Sequence, residues 1–281
     1  MIEVVILGSG AARPQIGRAN ACYLIQTDIP LLFDFGPGAL ANMLHAGIDR
    51  NRLCHLLWTH LHADHVSEFI PFFFHEACDS KVHPREDVVL YGPRGTRKLV
   101  HAILRIFPGF AKARFKLRVK EIGQRQIRSR FVATPREARG VGASEDPPRA
   151  DHTGPHIQIG RTFVSAYPVR HSPSLQALGY RIEYEGRTVV YSGDAAFSSD
   201  LIKLCRGADL AIVEATCPEE HPIKNHLTAS QACKVAKAAG VKKLVLTHFD
   251  PIWKGYNLKA QCAGLFEGEI LAAEDLMRIR V

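Results

Sequence analysis

The chain has 281 residues, 46% of them hydrophobic and 23% charged, enough for one large core or two small ones. No run of eighteen apolar residues occurs, which excludes a membrane-spanning helix, and Met1 to Gly8 reads as a short strand rather than a secretion signal. The net charge of +8 favours anionic partners without naming one.

Met1 to Leu7 runs into Gly8-Ser9-Gly10-Ala11-Ala12-Arg13-Pro14. That spacing matches neither a Rossmann nor a Walker loop and reads as a tight turn. Cys22 to Gln26 and Leu31 to Phe35 read as paired strands. Asp34-Phe35-Gly36 closes the pair, and a helix is predicted from Ala39 to Ala46. Leu53 to Trp58 is an apolar run for a buried strand. It delivers Thr59-His60-Leu61-His62-Ala63-Asp64-His65, three imidazoles and a carboxylate within six residues. A helical stretch follows, with Asp64 near its N-terminus and Pro71 allowing one turn before a break. The cluster therefore lies on a strand-to-helix loop, where α/β sheets place their ligands. Imidazole and carboxylate suit zinc, iron and manganese. In a turning backbone His60 and His62 reach one side, Asp64 and His65 another.

Leu90 to Gly95 ends a strand and opens a helix predicted over Thr96 to Phe107. Residues 108 to 155 are irregular apart from the alternating Phe115 to Ile122. Arg125, Arg128, Arg130, Arg136 and Arg139 crowd this stretch, which reads as a basic, partly flexible insertion, a solvated loop in preference to a nucleic-acid arm. Strands are predicted at His156 to Ile159, Thr162 to Val169, Leu178 to Tyr184 and Thr188 to Tyr191. His171 and Asp194 each stand just past a strand end. A helix over Ser199 to Cys205 leads to a strand at Asp209 to Val213 and then Glu214-Ala215-Thr216. His226-Leu227-Thr228 precedes a helix from Ala229 to Ala239, capped by Thr228 and ended by Gly240. Strand Lys243 to Leu246 delivers Thr247-His248-Phe249-Asp250-Pro251. The tail, Gly268 to Val281, reads as an alternating strand. Seven cysteines, odd in number and without a CxxC pair, read as reduced core thiols of a cytoplasmic protein.

His60-x-His62-x-Asp64-His65 resembles the HxHxDH signature of the metallo-β-lactamase superfamily. Asp34, His171, Asp194 and His248 resemble its other motifs in order, so the likeness spans nearly all the chain except roughly 108 to 155. The resemblance implies an α/β fold, a four-layer αββα sandwich, as one domain over 1–281 whose similar halves meet near residue 160. It implies two zinc ions, or manganese or iron in their place. His60, His62 and His171 would bind one, Asp64, His65 and His248 the other, and Asp194 both, with Asp34 supporting the loop by hydrogen bonds. Seven ligands without a cysteine resemble the phosphodiesterase side of the superfamily.

Leu7 to Gly10, Arg18-Ala19-Asn20, Leu32 to Gly36 and Leu90 to Gly95 are similar to the ribonuclease Z branch. Val213-Glu214-Ala215-Thr216 resembles its HEAT motif with valine for histidine, and His226-Leu227-Thr228 its HST motif with leucine for serine. Catalysis would then involve Asp64, Glu214 and His226. A hydroxide shared by the metals would attack phosphorus, and His226, oriented by Glu214, would protonate the leaving oxygen. The substrate would be RNA or a small phosphodiester, met by a homodimer away from membranes. One departure stands out. His171 to Asp194 has room for one strand pair, not for the glycine- and proline-rich arm with which the branch grips tRNA. Hydrolysis of a lactone, thioester or sulfate ester on the same scaffold is the alternative, and it needs no Glu214–His226 pair. A nucleic-acid-binding module without catalysis is the third reading, and it needs no set of seven ligands.

Overall fold

The computed structural model describes residues 1–78, 87–107, 115–123 and 156–281. The arginines at 125, 128, 130, 136 and 139 lie outside the described residues, as do most of residues 108 to 155. Fourteen strands in the described residues form two seven-stranded sheets. The first contains β1 (Glu3–Gly8), β2 (Cys22–Gln26), β3 (Pro30–Phe33), β4 (His55–Leu57), β5 (Val88–Pro93), β6 (Leu117–Ile122) and, from the far end of the chain, β14 (Arg278–Arg280), in the order β14-β1-β2-β3-β4-β5-β6. The second contains β7 (His156–Ile159), β8 (Thr162–Val169), β9 (Ala177–Tyr184), β10 (Arg187–Tyr191), β11 (Leu210–Glu214), β12 (Lys243–Thr247) and β13 (Glu269–Ala272), in the order β13-β12-β11-β10-β9-β8-β7. Each sheet has three antiparallel pairings at one end and three parallel ones at the other.

Period-two alternation decides the layering. In β1, Val4 and Ile6 join the core between the sheets, while Val5 and Leu7 join a second core on the outer face. A strand apolar on both faces must be covered on both. On the outside of the first sheet the cover comes from α1 (Ala39–His45), α3 (Phe69–Cys78) and α4 (Thr96–Ile106), through Met43, Phe69, Phe72, Val100 and Ile103. On the second sheet it comes from α5 (Ser199–Cys205) and α6 (Ala229–Ala239), with α7 (Leu258–Cys262) packed on α6. Between the sheets, Tyr23 meets Tyr191 with ring centroids 4.5 Å apart, and Phe33 meets Tyr180 edge-on at 5.4 Å. Burying a side chain such as Phe33 is worth roughly 1.5–3 kcal/mol, so these rings hold the two sheets face to face. The αββα sandwich implied by the resemblance is the fold observed.

Two local expectations differ. The tail is two strands rather than one. Asp275 accepts hydrogen bonds from Ser9 N, Ala19 N and Asn42 Nδ2, which turns the chain from the second sheet back to the first. The helix after the histidine cluster is also two pieces, α2 (Ala63–Val66) and α3, parted at Ser67 and Glu68. Pro71 thus falls in the first turn of α3, where its missing N–H costs nothing. Thr228 does cap α6, in a reciprocal capping box with Gln231, and Gly240 ends it at φ 65. Among the described residues, no helix is long and apolar enough to cross a membrane.

Candidate metal centre

Every candidate side chain but His226, which stands in the loop before α6, lies at or beyond the C-terminal end of a strand. Asp34 follows β3, His60 to His65 follow β4, His171 follows β8, Asp194 follows β10, Glu214 ends β11 and His248 follows β12. The two sheets therefore present their loops at one edge. Two glycines permit the approach. A Cβ on Gly36 would sit 2.1 Å from the Asp64 carbonyl oxygen, and one on Gly193 (φ 57) would sit 2.7 Å from Thr59 Cβ.

The seven side chains converge in two groups that share one member. His60, His62, His171 and Asp194 offer donor atoms all within 4.8 Å of one another, and so do Asp64, His65, Asp194 and His248. In the first group His62 Nδ1 lies 3.0 Å from His60 Nε2 and 3.2 Å from His171 Nε2, while Asp194 Oδ2 stands 3.7 and 3.8 Å from those Nε2 atoms. In the second, His65 Nε2 and His248 Nε2 are 3.3 Å apart, each 3.3 Å from Asp194 Oδ1 and 3.5 Å from Asp64 Oδ2. One carboxylate oxygen of Asp194 thus addresses each group.

Acceptors behind the rings orient them. His65 Nδ1–H donates to Asp34 Oδ2 at 2.7 Å, and His171 Nδ1–H to the Asn225 carbonyl at 3.2 Å. The Thr59 hydroxyl gives its proton to Asp34, so it accepts from His60 Nδ1–H at 3.0 Å. The Thr216 hydroxyl gives its proton to Glu214 and accepts from His248 Nδ1–H at 2.9 Å. Each of the four rings spends Nδ1–H outward and turns Nε2 inward. Asp34, itself at φ 53, is a buried hub that also accepts from Thr59 N and Tyr191 Oη, both at 2.7 Å. His248 (φ 60) and Asn225 (φ 67) share that left-handed backbone, a strain of order 1–3 kcal/mol per residue that collects at functional sites.

Charge follows the same plan. Burial, with His65 adding to it, pushes the His60 pKa well down, and burial lowers His62 as well. Burial raises Asp64 and Asp194, but the surrounding imidazoles outweigh it and hold both carboxyls below their usual range. Burial lowers His65, yet Asp194, Asp34 and Asp64 overcome it and raise that ring well above its ordinary value. In the bare chain a proton on His65 is the cation those carboxylates call for, and a divalent ion would displace it. Convergent neutral nitrogens with a shared carboxylate fit zinc, manganese or iron.

Beside these groups Glu214, buried at 1% exposure, receives His226 Nδ1–H at 3.1 Å from both carboxylate oxygens. It also accepts from Ala195 N at 2.6 Å, Leu227 N at 3.1 Å and the Thr216 hydroxyl. Burial pulls the His226 pKa down, and the Glu214 carboxylate more than reverses this, raising it to about 9. Glu214, His226 and His248 also offer donor atoms within 4.8 Å of one another, but Glu214 and His226 are already hydrogen-bonded to each other. The structure thus brings together all nine residues named for the site. Thr59, Thr216, Tyr191 and the Asn225 carbonyl were missed as partners. Thr59 and Thr216 stand within the quoted stretches Thr59 to His65 and Val213 to Thr216, and that position is their only signal.

A family model described as beta-lactamase superfamily domain matches residues 31–249. The ribonuclease Z of Mycobacterium avium (strain 104) is 29% identical over 295 residues, covering 100% of this chain and 99% of that protein. The metallo-beta-lactamase fold protein YhfI from Bacillus subtilis superposes with a TM-score of 0.74 at 21% identity, covering 99% of this chain and 98% of that one. The short form of human tRNase Z superposes with a TM-score of 0.70 at 23% identity, with the same coverage. At those identities the two structures speak for the fold alone.

Proposed function

The chain belongs to the beta-lactamase superfamily, and from that premise we propose that it is a dinuclear metal-dependent phosphodiesterase of the ribonuclease Z type. The observation that carries the reading is the pair of donor groups sharing Asp194, with a hydrogen-bonded Glu–His pair at their edge. His60, His62 and His171 would hold one ion, Asp64, His65 and His248 the other, and Asp194 both. When bound, such ions supply Lewis acidity, lowering the pKa of a water and balancing charge on phosphate oxygens. Zinc suits these donors first, and manganese and iron fit them too.

The chain's own part is to position and to move a proton. Asp34 fixes His65 directly and His60 through Thr59, so the donor atoms stand ready before an ion arrives. Glu214 holds His226 by Nδ1–H, which leaves Nε2–H as the proton to give to a leaving oxygen. An alkoxide leaving group needs that proton, and imidazolium is a suitable general acid near neutral pH. The pair favours phosphodiester cleavage over hydrolysis of a lactone, thioester or sulfate ester. The similarity to a protein named ribonuclease Z supports the same choice. Between His171 and Asp194 stand only β9 and β10, so the reading stops short of tRNA 3′ processing. A homodimer belongs to the reading through the resemblance. A reducing, cytoplasmic setting is supported by six free cysteines that are buried among the described residues. Metal analysis of the purified protein, with chromogenic phosphodiester, lactone and thioester substrates assayed under added zinc or manganese, tests it. Turnover of the phosphodiester with about two ions per chain is expected. Turnover of only the lactone or thioester would overturn it.

A further inference from the structure

The open side of α4 carries charge that the fold does not use. Arg97, Lys98, His101 and Arg105 are exposed and follow the spacing that places them on one stripe of the helix. The helix contains no acidic residue, and exposed Arg94 precedes it. Together with Glu121 these side chains line an open groove of about 600 Å³. Glu121, the acid on its wall, is already engaged. Its Oε1 accepts from Gly95 N at 3.0 Å and Arg97 N at 2.9 Å, closing the N-terminus of α4. Arg97 keeps one arm on the Val119 carbonyl of β6, at 3.0 Å, which anchors the stripe to the outermost strand of the sheet. The side chains of Arg94, Lys98 and Arg105 engage no partner among the described residues.

The groove opens next to the candidate metal centre. A Cβ on Gly95 would lie 3.2 Å from Leu61 Cδ1, and Leu61 stands between His60 and His62. Arg94 N donates to Gln176 Oε1 at 2.9 Å, in the loop that begins with His171. From Arg97 to Arg105 the stripe runs about 12 Å along the helix, at 1.5 Å per residue. That length is enough to face more than one successive phosphate of a strand.

Resting on the phosphodiesterase reading above, we propose that this face of α4 holds the phosphate backbone of an RNA strand whose scissile bond lies at the metal centre. The substrate class is then RNA rather than a small phosphodiester. A small diester would reach the donor groups without touching α4. A polyphosphate uses the face and the centre at once, whereas an acidic peptide matches the face and has no bond for a phosphodiesterase centre to cleave.

The test compares zinc-loaded wild type with a triple variant, Arg94→Gln, Lys98→Gln and Arg105→Gln. All three positions are exposed, and melting curves check that the variant folds. A charge-keeping variant, Arg94→Lys, Lys98→Arg and Arg105→Lys, serves as a second comparison. Anisotropy of a labelled single-stranded RNA is read between about 50 and 200 mM salt, where phosphate contacts dominate affinity. Loss of three cations should flatten the slope of log K against log salt by about 2 and raise KM for RNA about tenfold or more. Hydrolysis of bis(4-nitrophenyl) phosphate should stay the same in all three proteins, and the charge-keeping variant should keep the RNA slope. An unchanged slope and KM in the glutamine variant would overturn the proposal. So would preference of the face for polyglutamate over RNA, which would make its partner an acidic protein segment. If the wild type binds RNA through these cations but cleaves neither RNA nor the nitrophenyl diester, the phosphodiesterase reading is what fails. The face is then upheld as an RNA-binding surface.

Discussion

Replacing His226 by alanine isolates the proton-transfer step, because its ring nitrogen is hydrogen-bonded to Glu214 and Thr216 and to none of the seven donor side chains. Its Nδ1 stands 3.9 Å from Asp194 Oδ2, while its ring packs beside those of His171 and His248 with centroids 4.8 and 5.7 Å away. Glu214 loses one hydrogen-bond donor and keeps three, from Ala195 N, Leu227 N and the Thr216 hydroxyl. Losing a charge-assisted bond to a buried carboxylate that keeps its other donors should cost about 1.5–3 kcal/mol of stability. The catalytic cost is read separately, in rate. General acid catalysis is worth roughly 10²–10⁴ in rate, or about 2.7–5.5 kcal/mol of barrier. The assay sets an RNA or dinucleotide, whose leaving alkoxide needs a proton, against a nitrophenyl diester, whose leaving group needs none. His226→Ala should lose the full factor on the first and far less on the second, with metal content equal to wild type. Equal losses on both substrates would refute proton donation and leave His226 a role in binding. Loss of metal would mean that the ring is a ligand.

Three further outcomes follow from the same geometry. Asp34→Asn turns one acceptor toward Thr59, His65 or Tyr191 into a donor, and it should weaken zinc affinity about 10–100-fold by chelator competition. Unchanged affinity would show that Asp34 serves the fold alone. Because the proposed acid is protonated His226, turnover of alkoxide-leaving substrates should fall as pH rises through its pKa, which Glu214 lifts to about 9 in the bare chain and bound cations would lower. Glu214→Gln should move that alkaline limb to lower pH, and a limb that stays in place would deny the pairing. Chelation should lower the melting temperature and zinc at about 100 times its Kd should restore it, by about 2.7 kcal/mol or roughly 5–10 °C. A melting curve indifferent to zinc would count against bound ions.

What the sequence revealed and what it hid divide along physical lines. His60 to His65 were legible because four donors lie within one short loop after an apolar run. His171, Asp194 and His248 were legible by position, each just beyond a strand that period-two alternation marks out. The partners behind the rings were not. Tyr191 reaches Asp34 from the other sheet, 157 residues away in sequence, and no local pattern records that contact. The acceptor for His171 is the carbonyl of Asn225, a group that every residue possesses. The two-strand tail was hidden for a related reason. Alternation registers strand against solvent, not which sheet the strand joins, and the switch depends on Asp275 binding Ser9, Ala19 and Asn42, each more than 230 residues away.

The division of the donors between the sheets has an energetic consequence. The first sheet contributes His60, His62, Asp64 and His65, and the second contributes His171, Asp194 and His248. Neither donor group can be completed from one sheet. Away from this edge, the sheets are joined by contacts such as Tyr23–Tyr191 and the 2.7 Å hydrogen bond between Tyr23 and Thr247. At the edge itself, Asp64 and Asp194 would face each other with only imidazolium to separate them. Ions held there would join the two sheets where the bare chain places buried carboxylates together, so metal binding and stability at this edge are one equilibrium. Since Asp194 gives one oxygen to each group, filling the first group fixes the carboxylate for the second. Ion binding should therefore favour the doubly filled state over the singly filled one.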